Sequence, residues 1–421
     1  MSDDLVIIGA GAAGLATAVF AARREPSLRV RCLDGARHIG AKILVSGGSR
    51  CNLTNRVVSE QDFWGGSTRI VRQVLRAFSS EQAVDFFAGL GVVVHEEGDG
   101  KLFPVTNRSR TVLDALVGEL ARRKVSIDSL ARVIALARDS DGFTITLADG
   151  RSLRARSVVL ATGGQSLPKT GSDGFGYRLA QHFGHHVVAT TPALAPLLLD
   201  GDLHAGLSGV SHRAEAALVV NGRVQCRLRG DWLWTHFGAS GPLALDLSRH
   251  WHRAELGGTS PEVHLSVCPG DSFDIIDAWL REQGRTRPRA QLITVMGTRL
   301  PAAIADAWTR VADVDGSVSL AHLARDDRRR LVHVMTAMRL DVRGSRGYQY
   351  AEVTAGGVTL DEIDPATLQS RVCPGLYLVG EMLDVDGRLG GFNFQWAWSS
   401  GFVAGNAAAR MLAGDAAGRI S

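Results

Sequence analysis

The stretch "LVIIGAGAAGLATAVFAA", residues 5–22, decides the fold. "LVII" (5–8) is a short aliphatic run of β type, and it stops at Gly9. Gly9, Gly11 and Gly14 then form G-x-G-x-x-G, and a run of small residues from Leu15 to about Ala22 has helical character. A second strand, "LRVRCLD" (28–34), ends in the acid Asp34. Each part has a physical task. Gly9 permits the tight turn, Gly11 lets backbone approach a pyrophosphate, and Gly14 lets helix and strand pack closely. The helix N-terminus offers free N–H groups to phosphate, and Asp34 can accept hydrogen bonds from an adenosine ribose. The pattern reads as a dinucleotide-binding βαβ unit. The acid disfavours a 2′-phosphate, which leaves FAD and NAD.

The same stretch could be taken for a signal peptide or a membrane span. Asp3 and Asp4 stand where a signal needs positive charge, and the length is marginal for a bilayer. No membrane association is expected.

With 421 residues, 45% of them hydrophobic, the chain can bury two or three domain cores. Its five cysteines (Cys32, Cys51, Cys226, Cys268, Cys373) are scattered and contain no CxxC. A disulfide framework is therefore not expected, and the compartment reads as reducing and cytoplasmic. Net charge is +4, and only four of the 47 basic residues are Lys. An Arg excess suits phosphate, so RNA is one reading of it. The Arg are spread rather than clustered, so coding bias is the reading we take.

Three later segments favour FAD over NAD. "ARSVVLATGGQS" (155–166) reads as a buried parallel strand ending at Ala161, Thr162, Gly163 and Gly164, with a hairpin over 141–155 feeding it. "PGLYLVGEMLDVDGRLGGFNFQWAWSSGFVAGNAAARM" (374–411) gives another short strand, a Gly-rich loop and a helix from about Gln395. The N-terminus of that helix suits a group that becomes negative on reduction, such as a flavin ring. "KILVSGGSRCNLTN" (42–55) reads as neither helix nor strand. It places Gly47, Gly48, Arg50 and Asn52 where an extended FAD would pass, with Arg50 and Asn52 expected to bond the flavin's polar edges. No second G-x-G-x-x-G unit follows, so NADH or NADPH is expected only as a transient electron donor.

Residues 190–345 lack the dinucleotide pattern. "AEAALVVNGRVQCRLRGDWLWTHFG" (214–238) reads as an antiparallel hairpin turning at Asn221-Gly222, 271–312 as short helices, and 324–340 as one helix. The expected domains are a first FAD-binding part (1–189), an insertion (190–345, β-rich over 190–268 and helical over 269–340) and a second FAD-binding part (346–421).

These blocks, with "ATGGQSLPKTGSDGFGYRLAQHFGH" (161–185), "THFGASGPLALDLS" (235–248) and "TAGGVTLDEIDPATLQS" (354–370), resemble the bacterial flavoprotein family that includes aminoacetone oxidases and BaiN-type reductases. The resemblance runs nearly end to end. It implies an α/β Rossmann-like FAD-binding domain, a parallel sheet with a β-meander, and an inserted antiparallel β-barrel plus helical domain. It implies non-covalent FAD held by Gly9, Gly11, Ala13, Gly14, Asp34, Lys42, Ser46, Arg50, Cys51, Asn52, Val133, Ala161, Thr162, Gly163, Glu381, Asn393 and Phe394. Ser49 departs from the family, which commonly has Gly there. The implied chemistry is hydride transfer between a substrate carbon and flavin N5. The leading substrate is an activated double bond in a small molecule. The alternatives are amine oxidation, reduction of uracil in ribosomal RNA, and a non-catalytic flavoprotein.

Taken singly, Cys51 is a candidate flavin-adjacent thiol, and packing is its commoner role. His236 is a candidate proton donor. Glu381 and Asp384 suit ribitol contact. Trp396 and Trp398 should include at least one core residue. "HFGHH" (182–186) and "HWH" (250–252) lack an acidic or Cys partner at ligand spacing, so no metal is expected.

Overall fold

The computed structural model describes residues 3–418, and the side chains of 3–414. The chain divides into two compact units, Met1–Thr191 with Glu352–Ser421, and Pro192–Ala351.

The first unit opens with β1 (Asp3–Ile8), α1 (Ala12–Arg24) and β2 (Val30–Leu33), the strand–turn–helix–strand order read from the glycines. α2 (Ala41–Ser49) follows, then α3 (Ser109–Arg122) and β3 (Ser126–Asp128). A meander of β4 (Val133–Asp139), β5 (Gly142–Leu147) and β6 (Ser152–Leu160) leads to α4 (Phe175–His182). Strands β3, β2, β1 and β6 lie side by side and parallel. β6 changes partner along its length. Ser152–Ala155 pair antiparallel with β5, while Val158–Leu160 pair parallel with Leu376–Leu378 from the far end of the chain. In register, Ile8 lies opposite both Leu33 and Leu160. Gly9, Asp34 and Ala161 therefore follow three adjacent strands at one carboxyl edge, where such sheets hold ligands.

The second unit is built on β7 (Ser211–Val220) and β8 (Arg223–Thr235), joined at Asn221 and Gly222 with φ of 51° and 74°. Both positive φ values give the turn that matches the strand twist of a two-residue hairpin. The seven-stranded antiparallel sheet ends on Met338–Leu340 at one edge and Val342–Ser345 at the other. Asp341 alone separates these edges in sequence, so the sheet curls round on itself like a barrel. Helices Gly241–Leu256 and Arg325–Ala337 pack on it, and Phe273–Thr286 and Ala302–Val311 pack in turn on Arg325–Ala337. The core packs Trp232 edge-to-face with Trp234 and Trp234 edge-to-face with Trp308, with centroids 5.7 and 6.0 Å apart. The helix expected over 324–340 spans Arg325–Ala337. Its last three expected residues instead pair with the strand Glu262–Ser266, because Met338 and Leu340 alternate inward as a strand requires.

The chain then returns to the first unit through β9 (Val353–Val358), β10 (Leu376–Leu378) and α5 (Phe392–Gly418). α5 begins three residues before the expected Gln395. It lies against α1, and its small residues make the fit: a Cβ at Gly401 would come 2.8 Å from Ala16 Cβ and 2.9 Å from Ala13 O. Trp396 and Trp398 are both buried, because this helix is enclosed on several sides. Their indole N–H groups donate to Gly380 O and Leu53 O, at 3.0 and 2.8 Å. Among the described residues, no helix is long and apolar enough to cross a membrane.

Candidate functional site

At the carboxyl edge of the sheet, Gly9 N donates to Leu33 O at 2.7 Å, and Gly9 has φ of 107°. A Cβ on Gly9 or Gly14 would strike neighbouring backbone. Gly11 differs: a Cβ there would meet nothing within 4 Å. The first turn of α1 has no acidic residue and no side-chain cap, so its amides face that open space unclaimed by a side chain. Asp34 accepts from Ala10 N at 2.7 Å and Ala36 N at 2.8 Å. Burial raises its pKa against these two hydrogen bonds. The carboxylate thus braces the glycine turn while keeping lone pairs for another donor. Ala13 lies in the first turn of α1, and Val133 opens β4, buried.

The 42–55 stretch is helical only at its start. α2 loses helical geometry at Ser46, and Gly47, Gly48 and Ser49 follow at φ of 54°, 65° and 66°. This left-handed run suits two glycines and strains the serine. Cys51 also has positive φ, 62°, and is fully buried. Burial pushes its thiol up to about 12, so it stays protonated at neutral pH and is not a ready nucleophile. It packs within the hydrophobic core of the first unit. Ser46 Oγ donates to Ile43 O at 2.7 Å.

Arg50 and Asn52 have protein partners. Arg50 pairs with Glu97 at 2.7 Å and covers the Phe103 ring at 4.2 Å. The Asn52 carboxamide, oriented to satisfy both neighbours, donates to Thr54 O at 3.0 Å and accepts from Gly391 N at 3.1 Å. The rest of the motif is likewise stitched to the start of α5. Thr54 Oγ1 donates to Gln395 Oε1 at 2.7 Å, and Asn55 Nδ2 donates to Gly390 O at 3.0 Å. Much of the polarity in "CNLTN" therefore fixes this loop against the C-terminal helix.

A second cluster joins distant segments. The Glu381 carboxylate takes the Lys42 ammonium, Ser166 Oγ at 2.6 Å and Thr354 N at 3.0 Å. Thr354 Oγ1 in turn accepts from Gln165 N at 2.8 Å and Ser166 N at 3.1 Å. Lys42 and Glu381 were singled out from sequence. Ser166 and Thr354 were not, although both lie inside quoted blocks, because only the fold shows that they share one carboxylate. Asn393 accepts from Gly387 N at 2.8 Å and donates to Gly387 O at 2.9 Å, which locks the loop before α5. Phe394 stacks on Trp398, centroids 5.5 Å apart. Asp384 is buried, and its carbonyl accepts from Gly66 N at 2.7 Å.

Thr162 Oγ1 is buried and has no hydrogen-bond partner within the protein. It follows Ala161, whose N–H donates to Ile8 O at 2.8 Å beside the glycine turn. An open glycine, free helix amides, a ribose-side carboxylate and an unpartnered hydroxyl at one edge fit a dinucleotide. His236 belongs to the second unit, where it is exposed just after β8. Among the described residues, no three His, Cys, Asp or Glu side chains are grouped to hold a metal. His185 is instead a buried clip, bonded to Glu362 and Ser370 at 2.8 Å each.

Residues 3–407 match the family described as HI0933-like protein Rossmann domain. The chain belongs to this HI0933-like family. It is 34% identical over 402 residues to the Ribosomal RNA dihydrouridine synthase of Escherichia coli, covering 95% of this chain and 96% of that one. It is equally 34% identical over 403 residues to the 3-dehydro-bile acid delta(4,6)-reductase of Clostridium scindens, covering 96% and 98%. Among solved structures, the FrdA subunit of E. coli quinol fumarate reductase aligns at a TM-score of 0.50 and 18% identity, over 99% of this chain and 73% of that one. That likeness shows the fold. As an HI0933-like protein with a dinucleotide-fitted sheet edge, the chain is an FAD-dependent oxidoreductase.

Proposed function

We propose that this protein reduces an activated carbon–carbon double bond in a small molecule. The observation that carries the reading is the near end-to-end match to the C. scindens reductase. The E. coli relative, although named for a different substrate, also bears a name that describes saturation of a conjugated double bond. The shared chemistry is hydride to one carbon and a proton to its neighbour.

When bound, FAD supplies the hydride chemistry at N5. The chain's own residues bind, orient and exclude water. The glycine turn and the α1 amides hold the pyrophosphate, and Asp34 holds the ribose. Lys42, Glu381 and Ser166 set the ribitol side. The loop over 46–52, stitched to α5, forms a wall for the flavin ring. Cys51 supports that wall as a packed, protonated thiol.

A second reading has one observation in its favour. Two relatives, at 34% and 30% identity, are named Ribosomal RNA dihydrouridine synthase. On that reading the substrate is a uracil ring in RNA, unstacked to reach the flavin.

The test is anaerobic. The purified yellow protein is mixed with NADPH, NADH or aminoacetone while the oxidised-flavin absorbance is followed. Bleaching by a nicotinamide, then recovery on adding a cyclic enone, is the expected result. Recovery with ribosomal RNA but not with enones selects the second reading. Bleaching by aminoacetone alone, with oxygen restoring the colour, replaces both with an amine oxidase.

A further inference from the structure

We infer that Ser172, acting with Thr162, is a binding residue for the adenosine-diphosphate half of the cofactor. The inference rests on the FAD reading above and adds a residue that lies inside the 161–185 block but was not singled out from sequence.

Ser172 is 6% exposed, and its hydroxyl has no hydrogen-bond partner within the protein. Thr162 Oγ1 shares that state. A buried hydroxyl without a partner is costly, and native proteins rarely leave one without reason. Here two occur in one short segment, and both lie by the carboxyl edge of the sheet. Thr162 comes two residues after β6. Ser172 Oγ lies 2.7 Å from where a Cβ on Gly163 would be, so it sits over the Thr162–Gly163 backbone. On the other side, a Cβ on Gly171 would lie 3.6 Å from Ala36 Cβ, and Ala36 N is a donor to Asp34. Ser172 therefore stands between the end of β6 and the ribose-side acid, on the adenosine side of the glycine turn.

The segment is also held in place. Asp173 accepts from Phe175 N at 3.0 Å and from Arg132 Nη2 at 2.7 Å. Arg132 in turn covers the Phe175 ring at 4.8 Å. With its neighbour pinned on two sides, Ser172 cannot readily swing to another protein acceptor. An incoming ribose hydroxyl or phosphate oxygen is a partner of the right chemistry. Glycine at 163 keeps that approach open.

The experiment compares wild type, Ser172→Ala and Thr162→Val in the full chain. FAD affinity is measured by rebinding after flavin removal, ADP by its competition against FAD, and apoprotein stability by thermal melting. The expected result for S172A is FAD binding weakened about tenfold, as for loss of one hydrogen bond to a charged or polar ligand. ADP should lose potency by a similar factor. The S172A apoprotein should melt no lower than wild type, because the hydroxyl had no partner to lose. T162V should behave alike, and it keeps the question open to test if S172A misfolds. Unchanged FAD affinity with a lower-melting apoprotein would mean that Ser172 bonds structural water, and would overturn the proposal. Weaker FAD binding with unchanged ADP potency would overturn the assignment to the adenosine half. A wild-type protein that carries no FAD would instead overturn the cofactor reading itself.

Discussion

The Asn55 carboxamide donates to Gly390 O at 3.0 Å, across 335 positions of chain. The same amide group also donates to Asp99 O at 3.0 Å, and Asn55 is 4% exposed. One side chain thus fixes the loop after α2 to the turn before α5. Replacing Asn55 with Ala strands two carbonyls, so it should destabilise the protein by about 2–3 kcal/mol. FAD affinity should fall as well, since the two walls are no longer held together. Urea denaturation and FAD rebinding check both. A variant that binds FAD as wild type does would refute the coupling.

Lys42 and Glu381 form an ion pair whose side chains are 26% and 16% exposed. Ser166 and Thr354 satisfy the remaining carboxylate positions, so the pair is well solvated by protein. A double-mutant cycle of Lys42→Met and Glu381→Gln should give a coupling energy of about 1–2 kcal/mol. Additive losses would show that the two residues act independently.

Ser49 stands at φ of 66°, and it is exposed. Left-handed backbone costs a residue with a Cβ about 1–2 kcal/mol. Ser49→Gly should therefore stabilise the chain by about 0.5–1 kcal/mol, after the larger unfolded-state entropy of Gly. The denaturation midpoint should rise with the slope unchanged. A fall would mean that the Ser49 side chain contributes a contact of its own.

Burial holds His250 and His252 at about 4, with Arg249 adding to the effect at His250. An unfolded His protonates near 6.5, so between these values the unfolded chain binds more protons. Stability must then fall as pH drops from about 6.5 to about 4. Glu119 adds a second, more acid window. Burial raises its pKa, but hydrogen bonds from Arg123, Arg23 and Arg122 outweigh this and bring it to about 2. Its stabilisation is complete above about 4.5 and is lost towards 2. Melting temperature should decline from pH 7 to 4, and His252→Gln should shallow that decline. A flat profile down to pH 4.5 would refute the histidine contribution.

The glycine turn was legible because its constraints are local. Gly9, Gly11, Gly14 and Asp34 have spacings that only a strand–turn–helix–strand unit uses. The hairpin at Asn221-Gly222 was legible for the same reason. The start of α5 was misplaced by three residues, because its first turn holds Phe392, Asn393 and Phe394, which carry no strong start signal. The helical opening of α2 was missed because Gly47 and Gly48 weigh against a helix. The backbone in fact turns left-handed only from that point.

The roles of Arg50, Asn52 and Cys51 were less legible. Their sequence context suggested direct contact with a flavin. Their hydrogen bonds and burial also involve Glu97, Gly391 and the core, which are far away in sequence.

By itself, the sequence determined the dinucleotide unit, the returning C-terminal segment and the family, because each lies in contiguous motifs with fixed backbone demands. The tertiary structure alone decided which polar side chains are spent on the fold and which are left unpartnered. Hydrogen-bond saturation depends on groups hundreds of residues apart. Thus Asn52 and Asn55 are consumed by the start of α5, Glu381 gathers Lys42, Ser166 and Thr354, and the hydroxyls of Thr162 and Ser172 remain without a protein partner at the sheet edge.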